Sequence, residues 1–105
     1  MAELGGFELR VLLAILRCQD AYAVTVRDEI AECTGRRPSL GSIYITLQRL
    51  EEKRLIRSRL GDPTPARGGR AKRFFTVTRD GLTLAREHCR ATRRLWRGLG
   101  LVPED

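Results

Sequence analysis

A chain of 105 residues with 42% hydrophobic and 31% charged residues is sized for one domain, burying about 60–70% of its unfolded surface, so a second copy of the chain is an expected source of further burial. No apolar run approaches the roughly 18 residues that a membrane span requires, so no membrane insertion is expected. A formal net charge of +7 and a pI near 10.3 predict attraction to polyanions without distinguishing nucleic acid from an anionic surface.

The start of the chain lacks a positive n-region, and Arg10 and Arg17 interrupt the stretch where a signal peptide would carry its apolar core, so a cytoplasmic location is expected. From Glu3 to Arg17, Leu4, Phe7, Leu9, Val11, Leu12, Leu13, Ile15 and Leu16 cover most of a helical circumference, which predicts a helix buried on more than one face. Tyr22, Val26, Ile30 and Cys33 recur at helical spacing and predict a second helix to about Thr34, stopped by Gly35. Cys18, Cys33 and Cys89 are odd in number and far apart. They fit neither a disulfide framework nor a metal site and read as small buried hydrophobes.

Ser39 is a natural N-cap for a third helix in which Leu40, Ile43, Tyr44, Leu47 and Leu50 line one face. Ser42, Thr46, Arg49 and Lys53 take the opposite face. Next comes a strand in which Arg57 and Arg59 share one side, then a breaker-rich tip from Gly61 to Arg70, then a return strand from Lys72 to Val77. Residues 49–73 hold nine basic residues against three acids, Glu51, Glu52 and Asp62. The segment from Ser39 to Thr78 therefore reads as a recognition helix followed by a basic β-wing. Thr78 caps a last helix whose Leu82, Ala85, Cys89, Thr92, Trp96 and Leu99 form a heptad-like seam, and a seam of that kind calls for another helix against it. The expected division is 1–77 for the nucleic-acid-binding part and 78–100 for the dimerisation helix, within one compact domain.

Residues that reach base edges sit on the exposed face of a helix in the major groove, near its N-terminal half. Ser39, Gly41, Ser42, Ile45, Thr46 and Arg49 occupy that position, and Tyr44 is a further candidate also able to lie on the core face. A polar helix face alone is weak support, because solvated faces look the same. The wing is stronger: Arg57, Arg59, Arg67, Arg70, Lys72 and Arg73 stand against a single acid and suit phosphates or a minor groove.

The Gly-rich tip lacks the spacing of a nucleotide cradle. The single histidine, His88, has no orienting carboxylate or further ligand at a useful spacing, so no catalysis, cofactor or metal is expected. Trp96 admits two readings, a packed seam residue or a platform for a small hydrophobic or aromatic effector inside a dimer. The expected dimer surface comprises Leu4, Phe7, Val11, Leu82, Ala85, Cys89, Thr92, Trp96 and Leu99. A winged protein-interaction module that does not read DNA is the alternative, and a basic membrane-surface protein ranks below it because the charge lies mostly on a hairpin.

Three stretches are similar to the PadR family of bacterial transcriptional regulators. They are Leu12 to Leu16 leading to Ala21-Tyr22-Ala23-Val24, Ser39 to Tyr44 running on through Leu47 to Ile56, and Gly68 to Gly81. The chain departs from the family pattern at Leu40, where Pro is frequent, at Arg54, where Gly is common, and at Phe74-Phe75, where Tyr is usual. The resemblance implies a mainly α protein with a small β-hairpin, a winged helix-turn-helix with an added C-terminal dimerisation helix. It also implies a homodimer on a double-stranded DNA operator, usually a repressor and often released by a small molecule or other signal.

Overall fold

The computed structural model describes residues 4–62 and 71–101, in the order α1 (Gly6–Arg17), α2 (Ala23–Thr34), α3 (Leu40–Glu52), β1 (Ile56–Leu60), β2 (Arg73–Val77) and α4 (Arg79–Trp96). Local chemistry sets most of these ends. Gly5 donates its N–H to Glu8 Oε1 at 2.9 Å at the start of α1, and Tyr22 donates its N–H to Thr25 Oγ1 at 3.0 Å at the start of α2. Ser39 Oγ accepts the Ser42 N–H at 3.1 Å at the start of α3, satisfying a donor that the first helical turn leaves open. Gly35 closes α2 at φ +73° with its N–H on the Ala31 carbonyl.

The end of α3 is closed by a paired motif in which Leu55 N–H reaches the Leu50 carbonyl and Arg54 N–H the Glu51 carbonyl, both at 2.9 Å. That geometry needs a left-handed residue between them. Arg54 fills the position at φ +62°, which gives a physical reason for the glycine common at this point. Thr78 Oγ1 accepts the Gly81 N–H at 3.1 Å and donates to the Arg54 carbonyl at 2.9 Å, tying the start of α4 to the turn after α3. Gly81 is required there, because a Cβ would run into the carbonyl oxygen of Leu55.

The strands pair antiparallel from Ile56 opposite Val77 to Leu60 opposite Arg73. Phe75 N–H also bonds the Ala21 carbonyl at 2.8 Å, so the segment before α2 borders the free edge of β2. Val11, Leu12, Val26, Ile43, Leu47, Leu50 and Ile56 are each at most 2% exposed and form the centre of the core. Burying side chains of this size contributes about 1.5–3 kcal/mol each.

Several expectations need correction. Thr46 is 5% exposed and Tyr44 is 58% exposed; both 40/43/44/47/50 and 43/46/47/50 are helical stripes, and packing against α1 and α2 selects the second. α1 is less enclosed than its composition suggests, since Leu13 and Leu16 are 43% and 47% exposed. Cys18 is half-buried, whereas Cys33 and Cys89 are exposed. The α4 helix ends at Trp96, and Leu99 lies beyond it, after Gly98 turns the chain at φ +81°. Val11, expected at the dimer surface, is completely buried in its own chain and has no area left for a partner.

Candidate nucleic-acid interface

α3 presents a continuous exposed face made by Gly41, Ser42, Ile45, Gln48, Arg49 and Glu52, with Tyr44 exposed beside it. At its head, Ser39 Oγ donates to Ser42 Oγ at 2.8 Å while accepting the Ser42 N–H. Two small hydroxyl residues and Gly41 leave the helix start accessible to a closely approaching anion. Thr46 is withdrawn from this face by its burial. Ile45 is exposed on this face as expected, and Gln48, not singled out from the sequence, is exposed there too. The signal for Gln48 was its amide, a group able to bond adenine bidentately; its Nε2 donates to Glu52 Oε1 at 3.4 Å.

The hairpin separates its basic residues between two sides. Arg57, Arg59, Phe74 and Thr76 share the outward side, because Arg57 pairs with Thr76 and Arg59 with Phe74. Arg59 lies over the Phe74 ring at 4.9 Å from its centroid, and Lys72 Nζ lies 4.4 Å from the centroid of the Tyr22 ring. On the other side, Arg73 Nη1 donates to Ser58 Oγ at 2.9 Å, and Ser58 Oγ donates to Glu51 Oε2 at 2.6 Å. That chain of bonds links both strands to the last turn of α3. Arg73 thus lies on the opposite side of the hairpin from Arg57 and Arg59, tied through Ser58 to Glu51, which subtracts charge on that side. Arg67 and Arg70 lie outside the described residues.

The Glu8 carboxylate meets Lys53 Nζ at 2.9 and 2.7 Å, fastening α1 to the end of α3. Partial burial pushes the Glu8 carboxyl up, but the Lys53 hydrogen bond, the Gly5 N–H and the charges of Lys53 and Arg49 outweigh it and leave the group below its ordinary value.

Between α1 and α4 runs an open apolar groove of about 370 Å³ lined by Leu9, Leu13, Ala85, His88, Cys89 and Trp96 among others. His88 is half-buried in it with its ring Nδ1 3.3 Å from Thr92 Oγ1. Leu4, Phe7 and Leu82 are half-buried and Ala85 is 7% exposed within the chain. Cys89, Trp96 and Leu99 are exposed, with Thr92 between. The seam therefore divides: its first turns are largely spent on the chain's own core, and its last turns are open.

The fold recurs in solved structures. A PadR-family transcriptional regulator from Eggerthella lenta superposes with a TM-score of 0.70 at 24% identity, covering 90% of this chain and 84% of that one. A transcriptional regulator from Clostridium thermocellum gives 0.72 at 16% identity over 92% and 89%. A PadR-like transcription factor from Bacteroides fragilis gives 0.71 at 20% identity over 85% and 82%. No curated protein sequence matches the chain. The model of the transcriptional regulator PadR-like family matches residues 12–87, from the core of α1 through the exposed face of α3 and the hairpin into α4. The α1–α3 body with its antiparallel hairpin is thus a winged helix, and the chain belongs to the PadR-like family of DNA-binding transcriptional regulators.

Proposed function

We propose that the protein is a cytoplasmic, homodimeric, sequence-specific repressor that holds α3 of each subunit in successive major grooves, with the hairpins on flanking phosphates or minor groove. The observation that carries the reading is the pairing, on one chain of a DNA-binding family, of an exposed α3 face and a hairpin side carrying exposed Arg57, Arg59 and Lys72. Ser42, Gln48 and Arg49 are the base-reading candidates, since hydroxyl, amide and guanidinium groups match base edges. Ser39, Gly41 and Tyr44 flank them toward the backbone.

Dimerisation is supported by the exposed apolar positions Leu13 and Leu16 on α1, Leu95 and Trp96 at the end of α4, and Leu99 and Leu101 beyond it. A monomer would leave these to water. The unit 1–77 then binds DNA and 78–100 spaces two such units, which favours imperfect palindromes with half-sites about one helical turn apart. Trp96 beside the α1–α4 groove supports release by a small hydrophobic or aromatic signal molecule bound within the dimer.

The deciding experiment is a titration of the intact protein against sheared genomic DNA and a mixed-sequence duplex at physiological salt, followed by mapping of the retained fragments. Retention of a few palindromic fragments, with transcription from them rising when the protein is removed, is the expected result. Equal affinity for all duplexes would sink sequence-specific repression.

A further inference from the structure

The outward side of the hairpin carries an arrangement that neither net charge nor the family match accounts for. Tyr22 and Phe74 stand edge to face at 5.8 Å between centroids and 83° between planes. Each also carries a cation: Arg59 over Phe74, and Lys72 over Tyr22, with Lys72 Nζ also donating to the Tyr22 hydroxyl at 3.4 Å. The four side chains form one continuous ladder from the start of α2 across both strands. Gly61 makes room for it, since a Cβ there would come within 2.5 Å of Phe74 Cε2. The Gly61 N–H meanwhile bonds the Lys72 carbonyl at 2.7 Å and keeps the hairpin closed at that level.

We propose that Tyr22 and Phe74 are positioning residues for DNA binding, holding Arg59 and Lys72 where the phosphate backbone passes the wing. The proposal rests on the reading of this hairpin as DNA-facing. An arginine or lysine on an exposed strand loses much of its rotamer freedom when it grips a phosphate. A cation already seated on an aromatic face has lost part of that freedom beforehand. A guanidinium that rests on a ring through its face keeps its N–H edge for a phosphate, so stacking and phosphate binding do not compete. Gly61 contributes indirectly: its bond to Lys72 is to the backbone carbonyl and not to the ammonium, and the ring that supports Arg59 occupies the space its missing Cβ leaves.

The test is a double-mutant cycle read by fluorescence anisotropy on a labelled mixed-sequence duplex, with thermal melting of every variant recorded alongside. Phe74→Leu keeps an apolar side chain but removes the π face, and should weaken binding about 2- to 5-fold. The loss should vanish in the Arg59→Ala background, because both changes remove one positioned charge. Phe74→Tyr keeps the ring and should bind as the parent does. Gly61→Ala, which deletes nothing and displaces the ring, should reproduce the Phe74→Leu loss. The cycle of Tyr22→Leu with Lys72→Ala should show the same dependence. Additive losses in both cycles, or parental affinity in both Phe74→Leu and Gly61→Ala, would overturn the positioning role while leaving duplex binding by the parent intact. Failure of the parent itself to bind the duplex would overturn both this role and the DNA-facing reading.

Discussion

In α3 and the root of the hairpin, Ile43, Leu47, Leu50 and Ile56 are at most 2% exposed, whereas at the end of α4 and just beyond it Leu95, Trp96 and Leu99 are 78%, 44% and 56% exposed. Both regions carry helical spacing of large apolar residues, so composition does not separate them. Closure does: the first region is packed against α1, α2 and β2 of its own chain, whereas the second meets only the α1 side of the groove that Trp96 lines and is otherwise left open by the described residues. Amphipathic spacing specifies that a face will be covered but not by which chain. The core around α3 and the hairpin root is closed within the chain, whereas Leu13 and Leu16 of α1 and the distal part of α4 stay open, the positions that the proposed second copy would cover.

The joint between the two regions is where the comparison breaks most sharply. Gly81 lets the first turn of α4 lie against the Leu55 carbonyl, and Gly81→Ala forces backbone apart where Thr78 bonds both Arg54 and Gly81. Overpacking against backbone should cost about 2–3 kcal/mol, read as a lowered denaturant midpoint with an altered α4 angle. An unchanged midpoint would mean that α4 and the body are not rigidly coupled. Next in size is Trp96→Ala, which should leave the body's fold intact and weaken self-association by about 2 kcal/mol, or roughly 30-fold. Sedimentation showing an unaltered dimer would remove Trp96 from the interface.

How far the sequence revealed this depended on how local the determinant was. Ser39, Gly35 and Thr78 act on the next turn of backbone, and their capping roles were legible from residue type. The face of α3 was less so, because two stripes shared Ile43, Leu47 and Leu50, and only contacts with α1 and α2 placed Thr46 inside and Tyr44 outside. The seam on α4 was readable as a seam, but its division between the chain's own core and open surface depends on where α1 stops covering it. The grouping of wing charges with Tyr22 was invisible, since it joins residues 50 apart through ring geometry.

A smaller effect sharpens the body's side of the comparison. Arg54 closes the α3 motif at φ +62°, a conformation that disfavours side chains with a Cβ by about 1–2 kcal/mol, part of which glycine returns through its own greater chain entropy. Arg54→Gly should therefore stabilise the fold by about 1 kcal/mol, measured as a higher denaturant midpoint at equal slope. Because the motif is internal to one chain, the gain should not vary with protein concentration. A gain that grows with concentration would place Arg54 at the dimer contact instead.

The smallest expected effect concerns the clasp between α1 and α3. Glu8 has a folded-state pKa below its ordinary value of 4.5, with Lys53 Nζ at 2.7 Å. A depressed carboxylate contributes stability that is fully present above the unfolded pKa and fades as pH falls through the folded one. Lys53 is partly exposed and screened by solvent, so the clasp should contribute less than about 1 kcal/mol. Glu8→Gln should thus be slightly less stable than the parent at neutral pH, and the gap should narrow once the medium is more acidic than the Glu8 carboxyl. Urea titrations of both proteins at neutral and acid pH measure the gap directly. Equality at neutral pH would show the clasp to be energetically silent. A gap that depended on protein concentration would contradict the assignment of Glu8 to a contact within one chain, because such a clasp is blind to dimer formation whereas the proposed interface at the end of α4 is not.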